Sequence, residues 1–287
     1  MTQNTLLLSA IMLLFAQATF CQNSKKASIS SISVQTGFVN EQEADWQLAD
    51  FRRLIPQSAL LQKDYSLFKQ NGGTSLQTSP MVSANLGITF GESKKGHPEL
   101  RIGLIYFSQY ASTYLYAEER KPYDTLISTQ TGEMYLLDSL KTSYLRGNYT
   151  CDQLRADIAW VYRTNPEARF SAYGGIGGTM GGSINAFSTI SYNENRAKAT
   201  LLSGSSYYFN SNSRDYQSEH FTLKNNMGFS AYIPAGLDFR IFKKHLFWSR
   251  FHLFYEGRAG VNVSFIPNMT PTKNISLLQG VGLKVRI

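Results

Sequence analysis

The feature that most constrains this chain is an alternation of side-chain character that runs far past the length of an ordinary strand. In LFWSRFHLFYEGRAGVNVSF, Leu246 to Phe265, the odd positions carry Phe247, Phe251, Leu253, Tyr255, Ala259, Val261, Val263 and Phe265. The even positions carry Trp248, Arg250, His252, Phe254, Glu256, Arg258, Asn262 and Ser264. A period of two puts successive side chains on opposite faces of an extended strand. Strands in soluble proteins usually stop at about five or six residues and seldom pass about ten. A wall this tall, greasy on one side and charged on the other, needs an environment that rewards both faces.

The same template fits seven further stretches. Ile32, Val34 and Phe38 alternate first, and Val82 to Phe90, Leu100 to Tyr106 and Leu154 to Tyr162 follow. Phe170 to Ile184 continues with glycine in many gaps, then Phe221 to Ile241, and SLLQGVGLKVRI completes the set with Leu277, Val281, Leu283, Val285 and Ile287 on one face. The connections alternate strictly between short polar turns, ESKKGHPE, RTNPEA and FKKH, and segments of several tens of residues. An up-and-down antiparallel topology places all short turns at one end and all long loops at the other, the arrangement of an outer-membrane β-barrel. The expected fold is therefore all-β, a transmembrane up-and-down barrel of eight strands, with ten or more if hairpins in the long loops join the wall. Within those loops the spacing predicts a short helix between Ala44 and Phe68 that ends before Pro56. Hairpins are expected around Thr131-Gly132 and around Asn193 to Asn195.

Alternation alone does not say which face meets water. The strands are long enough to cross a bilayer with tilt, the polar face is rich in glycine, and its charges come in both signs, which together favour lipid outside and a polar interior. Phe251, Leu253, Val261 and Leu237 are then expected to face lipid. The expected lumen-facing charges are Arg155, Asp157, Asp238, Arg240 and Arg250, together with His252, Glu256, Arg258 and Lys284. Glu256 should meet Arg258 or, across the barrel, Arg155 or Arg240, because buried charges persist when paired. Arg101, Arg163, Arg169, Arg240, Arg250 and Arg286 fall near the short-turn ends and would form a positive collar. Tyr106, Tyr110, Tyr114, Tyr116 and Tyr123 crowd the other end of the third strand, as an interfacial aromatic girdle or, on a sharper reading, a sugar-binding platform.

Composition narrows the function. Aromatic residues make up 13% and charged residues 17%, against a net charge of +8, too apolar a balance for disorder. No run of Lys and Arg exceeds two and no helix-turn-helix, zinc-finger or RNP signature occurs, so nucleic acid is not the expected partner. Leu6 to Phe15 has the length of a signal-peptide core, so residues 1–21 are read as a signal peptide with cleavage near 16–21 and residues 22–287 as the barrel domain. With Cys21 removed or modified, Cys151 has no disulfide partner. No later segment has the apolar length of a membrane helix. The four histidines are scattered, no metal spacing occurs, and GGIGGTMGG, Gly174 to Gly182, lacks the Lys-Ser or Lys-Thr of a phosphate loop. Small residues that let a barrel wall bend account for it. No catalysis, metal or cofactor is expected.

The stretches YIPAGLDFRIFKKHLFWSRFHLFYEGRAGVN, RFSAYGGIGG and GVGLKVRI resemble the small outer-membrane β-barrel proteins of the Bacteroidota, related broadly to OmpA-type and PorT-type barrels. The resemblance is good over about the C-terminal half and a matter of pattern elsewhere. It implies a cell-surface, porin-like barrel, integral to the outer membrane and monomeric, whose partners are outer-membrane lipid, lipopolysaccharide and the barrel-assembly machinery. DTL and DSL also resemble the short O-glycosylation acceptor of that phylum, which marks Thr125 and Ser139. The function so implied is structural or surface-binding without catalysis. The alternatives are a transport or secretion accessory with a small lumen and, further off, a barrel enzyme.

Overall fold

The computed structural model describes residues 27–42, 46–70, 76–90, 97–127, 129–130, 132, 134–165, 168–202, 206–242 and 247–287. The segment read as a signal peptide, 1–21, lies outside these residues. In chain order the elements are β1 (Ala27–Gln42), α1 (Leu48–Leu54), β2 (Lys69–Gln70), β3 (Leu76–Phe90), β4 (His97–Ile127) and β5 (Met134–Arg163). They continue with β6 (Phe170–Leu202), β7 (Ser206–Thr222), β8 (Met227–Arg240), β9 (Phe251–Phe265) and β10 (Thr272–Arg286). No helix among the described residues is long and apolar enough to cross a membrane.

Eight of the strands close a ring. β1 pairs with β3, β3 with β4, β4 with β5, β5 with β6, β6 with β8, β8 with β9, β9 with β10, and β10 returns to β1, every pair antiparallel. Closure leaves the barrel without edges, which removes the unpaired backbone an open sheet would expose. Each wall strand neighbours the next one in sequence, so the barrel is up-and-down. The eight-strand expectation holds, because β2 and β7 pair only with upper parts of β4 and β6.

The two faces of β9 separate cleanly. His252, Phe254, Glu256, Arg258, Asn262 and Ser264 are buried, while Leu253, Tyr255, Ala259, Val261 and Phe265 are exposed. The same split turns Ile32 and Val34 of β1, Leu104 of β4, Ile158 of β5, Ile233 and Leu237 of β8 and Leu283 of β10 outward. An apolar belt therefore girds a polar interior, the reverse of a soluble protein. A strand of the 15 residues in β9 rises about 35 Å along the axis at ordinary barrel tilt, more than the ~25 Å apolar band of such barrels.

Two local devices shape the wall. The β6–β8 ladder pairs Gly174 with Ala235 and resumes at Gly177 with Tyr232. The skipped stretch includes Pro234, which has no N–H to give. A register shift where Asp152 and Gln153 oppose Asn185 and Ser183 adds one residue to β6. Below it Ser183 points in, and above it Ala186, Ser188 and Ile190 do, so the bulge switches inward-facing residues from odd to even.

The belt has a definite upper limit. On the outer face of β5 Leu154 is followed upward by Asp152, and on β4 Tyr106 is followed by Ser108, whose hydroxyl donates to Asp152 Oδ1 at 2.7 Å. A carboxylate facing hydrocarbon is costly, so apolar surroundings end at this level. β4, β5 and β6 do not end there. They run on as a head sheet ordered β2–β4–β5–β6–β7.

Three expectations are corrected here. β9 starts at Phe251 and not at Leu246, because Trp248–Arg250 form a single 3₁₀ turn. The rings of Phe247 and Trp248 pack at 5.3 Å and those of Trp248 and Phe251 at 5.4 Å, an aromatic rim cluster whose alternation resembles a strand without being one. Arg250, expected in the lumen, is consequently exposed outside it. The hairpin expected around Asn193 to Asn195 is absent there, since β6 pairs continuously with β5 and β7 through that stretch and runs on to Leu202. The β4–β5 hairpin turns where expected, with Gly132 at φ 72°, a left-handed conformation glycine adopts without strain.

Candidate functional site

The lumen is filled by an alternating chain of acids and bases. Asp157 Oδ2 meets Arg258 Nη1 at 2.7 Å, Arg258 Nε meets Glu256 Oε1 at 2.7 Å, and Glu256 Oε2 meets Arg101 Nη1 at 2.5 Å. Arg101 continues to Glu99 at 3.5 Å, Glu99 to Arg163 at 3.2 Å, and Arg163 to Asp238 at 2.5 Å. Asp238 accepts His252 Nδ1 at 2.5 Å and stands 3.5 Å from Lys284 Nζ. These groups come from β4, β5, β8, β9 and β10, so the chain braces the wall from within. Tyr173 lies under the guanidinium groups of Arg101 at 4.4 Å and Arg163 at 4.8 Å. Room for Tyr173 and Tyr232 comes from Gly236 and Gly177, where a Cβ would overlap the tyrosine rings.

The sequence-assigned lumen residues separate into groups. Asp157, Asp238, His252, Glu256, Arg258 and Lys284 join this one chain. Arg155 stands apart, donating to Gln153 Oε1 at 3.3 Å and Asn262 Oδ1 at 2.6 Å, with its guanidinium 4.9 Å from the Phe107 ring. Arg240 is half-buried near the lower rim. Glu256 takes Arg258 as expected, but its partner across the barrel is Arg101 and not Arg155 or Arg240. The expected collar divides too: Arg101 and Arg163 are buried in the lumen, whereas Arg169 and Arg250 are exposed. Between the ion chain and the mouth, a cavity of about 40 Å³ touches Glu41, Arg155, Tyr232 and Asn262, space for a few waters at most.

The mouth is closed by the segment between β1 and β3, which the sequence marked only as containing a short helix. Phe51, Ile55 and Leu61 are fully buried and Trp46 and Leu60 nearly so, packed on Leu115, Leu145, Tyr149 and Ile190 of the head sheet's inner face. Trp46 meets Phe51 edge-on at 5.3 Å and Tyr149 at 4.9 Å. The helix stops at Ile55, before Pro56, as the sequence indicated. Polar contacts hold its far side: Ser58 Oγ donates to Glu219 Oε2 at 2.5 Å, and the Leu60 N–H to Glu219 Oε1 at 3.3 Å. Lys63 Nζ lies over the Tyr192 ring at 4.7 Å and donates to Gln217 Oε1 at 3.0 Å. Beside it Glu194, although raised by burial, is brought down to about 2 by Tyr192, Arg196 and Lys141. The density of apolar residues in this loop was the signal of a plug, since a solvated loop has no use for them.

Glu219→Ala is expected to loosen the plug without opening the barrel, because it removes the acceptor of both Ser58 and Leu60. Limited trypsin digestion read by mass spectrometry should show faster cleavage after exposed Arg53. Unchanged cleavage would mean the apolar contacts alone seat the plug.

The outer face of the head sheet differs in kind from both the belt and the plug seat. Cross-strand partners place Tyr116, Tyr144, Asn193 and Tyr216 in one row. Tyr114, Arg146, Ser191 and Ser218 form the next, and Ser112, Asn148, Thr189 and His220 the third. The ring of Tyr144 lies 5.8 Å from that of Tyr114 and 5.4 Å from that of Tyr116, at interplanar angles of 33° and 38°. Of the tyrosines expected as a girdle, Tyr106 lies at the belt's upper limit, while Tyr110, Tyr114 and Tyr116 climb β4 away from it; the side chain of Tyr123 lies outside the described residues. Arg146 Nε donates to Asn148 Oδ1 at 3.1 Å, and Thr189 Oγ1 lies 3.0 Å from His220 Nδ1. Ser218 is 3.5 Å from His220 Nε2, but Glu219 points to the opposite face and holds the plug. Ser218, Glu219 and His220 thus form no catalytic triad. Thr125 is exposed on β4; Ser139 lies on β5, its side chain outside the described residues.

No protein-family profile and no curated protein matches the sequence. Among solved structures the chain is similar to Neisserial surface protein A, at 13% identity and a TM-score of 0.29, over 92% of this chain and 100% of that one. It is also similar to Ail, the attachment invasion locus protein of Yersinia pestis, at 14% identity and a TM-score of 0.25, over 90% of this chain and 99% of that one.

Proposed function

We propose that this chain is a non-conducting outer-membrane barrel that displays a rigid binding sheet at the cell surface. The observation that carries the reading is the double closure of the lumen, by the ion chain from Asp157 to Lys284 and by the plug around Phe51. A pathway for solute would leave a continuous water-filled space, and the central cavity is about 40 Å³. Conserving a polar interior while filling it makes the barrel an anchor. The apolar belt supports insertion by strands, with lipid as the outer partner and the barrel-assembly machinery as the route in. The reading takes residues 1–21 as the export signal and the folded unit as a monomer, because the ring satisfies its own edges. It assigns no catalytic step.

Reconstitution into planar bilayers tests this reading. The purified full-length protein should give no stable single-channel steps at physiological salt. Reproducible steps would favour the transport or secretion alternative and remove the anchor reading.

A further inference from the structure

Resting on that anchor reading, we infer that the outer face of the head sheet is a binding surface for an oligosaccharide chain. Its three cross-strand rows carry tyrosine rings, amides, hydroxyls, the guanidinium of Arg146 and the imidazole of His220, and contain no Leu, Ile, Val or Met. The inner face of the same strands carries Leu115, Leu145 and Ile190, so the contrast is not a property of the strands. A surface meant only for water has no need of tyrosine rings, and with no aliphatic side chain in these rows its contacts are ring faces and hydrogen-bonding groups, the two kinds a saccharide offers partners for. Nucleic acid would require a run of unpaired cations, whereas these rows present Arg146, bonded to Asn148, and the neighbouring Arg120 is paired with Glu118.

The geometry suits sugars specifically. Tyr116, Tyr144 and Tyr114 form a contiguous, half-buried ledge of rings tilted 38° and 33° to one another, with centroid steps of 5.4 and 5.8 Å, each about one pyranose long. The C–H face of a sugar ring lies on such a ledge, as an amphipathic ring offers both an apolar face and a polar edge. Next to the ledge, Arg146 and Asn148 are held together at 3.1 Å, and the Tyr116 hydroxyl donates to Glu118. Planar groups fixed in pairs are what adjacent sugar hydroxyls can bridge. Tyr110 and Tyr106 carry the tyrosine line down β4 to the end of the apolar belt. The occupant the line fits is therefore a saccharide chain that rises from the same membrane surface.

The test uses the full-length protein in detergent micelles, with saturation-transfer NMR on two probes: lipid-free core oligosaccharide released from lipopolysaccharide by mild acid, and chitohexaose. Transfer to sugar ring protons is expected, weakened at least tenfold by Tyr144→Ala and by Tyr114→Ser, and unchanged by Tyr255→Ala, which alters a tyrosine of the belt. Folding of each variant is read from its heat-dependent shift in electrophoretic mobility. Transfer to the core oligosaccharide alone assigns the membrane-anchored source; equal transfer to chitohexaose assigns a free glycan, and both support a saccharide site. No transfer with either probe, transfer indifferent to both head-sheet variants, or binding of polypeptide alone overturns the inference. It does so even while the bilayer stays silent, so failure here is separate from failure of the anchor reading.

Discussion

Glu256→Ala is expected to lower the stability of the barrel by about 3–5 kcal/mol, the cost of breaking a buried ion pair from one side. The carboxylate is 1% exposed and touches Arg101 at 2.5 Å and Arg258 at 2.7 Å. Removing it leaves two guanidinium groups sharing fewer acceptors in an interior closed to bulk solvent. Arg258 retains Asp157, at 2.7 Å. Arg101 retains the Tyr173 ring at 4.4 Å but, as an acid, the more distant Glu99 at 3.5 Å, so the damage should concentrate there. Glu256→Gln keeps the shape and should cost less. In a double-mutant cycle, Glu256→Ala combined with Arg101→Met should recover part of the loss, because both members of the pair are then gone. Urea unfolding of the detergent-folded protein measures each corner. A Glu256→Ala variant as stable as the parent, with a lost binding activity, would make the lumen row a site and not a brace.

Ile233→Arg is expected to cost about 2–4 kcal/mol and to reduce insertion into bilayers, as a cation near the midplane of a barrel's lipid face does. Ile233 is 65% exposed and sits midway along β8, opposite Ala259. The same change at Leu253, near the rim cluster of Phe247 and Phe251, should cost less because the side chain can reach the interface. Asn262→Ser, on the inner face, should leave insertion intact. Equal tolerance of arginine at Ile233 and Leu253, or a chain that stays dispersed without detergent, would refute the membrane assignment.

The wall was readable because a period of two is preserved wherever each face has one environment. From Phe251 to Phe265 every inward and outward residue follows from its parity. Legibility failed where the environment changed along a single strand. β4, β5 and β6 pass from hydrocarbon to solvent without a break, so their upper halves, whose outer face turns from apolar to polar and aromatic, were legible only as separate hairpins within long loops. The bulge opposite Asp152 shifts parity inside β6, which no alternating pattern can carry through. At the lower rim, Phe247 and Trp248 mimicked strand alternation while making a turn. Pairing was less accessible than facing: that Glu256 points inward follows from its position, but that Arg101 meets it depends on strand tilt around the whole ring. The plug was half visible, since its helix and stop at Pro56 were legible and its seat on Leu145 and Ile190 required the head sheet to exist first.

The uninterrupted passage of β4, β5 and β6 from belt to head has a mechanical consequence. No linker or hinge separates the head sheet from the barrel wall, so a pull on the head directed along the strands is borne as shear across many ladder hydrogen bonds at once, perpendicular to the load. Peeling would require force at right angles, at the side of β7 that pairs with no strand among the described residues, where bonds fail one after another. A tether held by this sheet would therefore be strong against traction away from the cell and weak against sideways drag, a directional grip set by strand continuity alone.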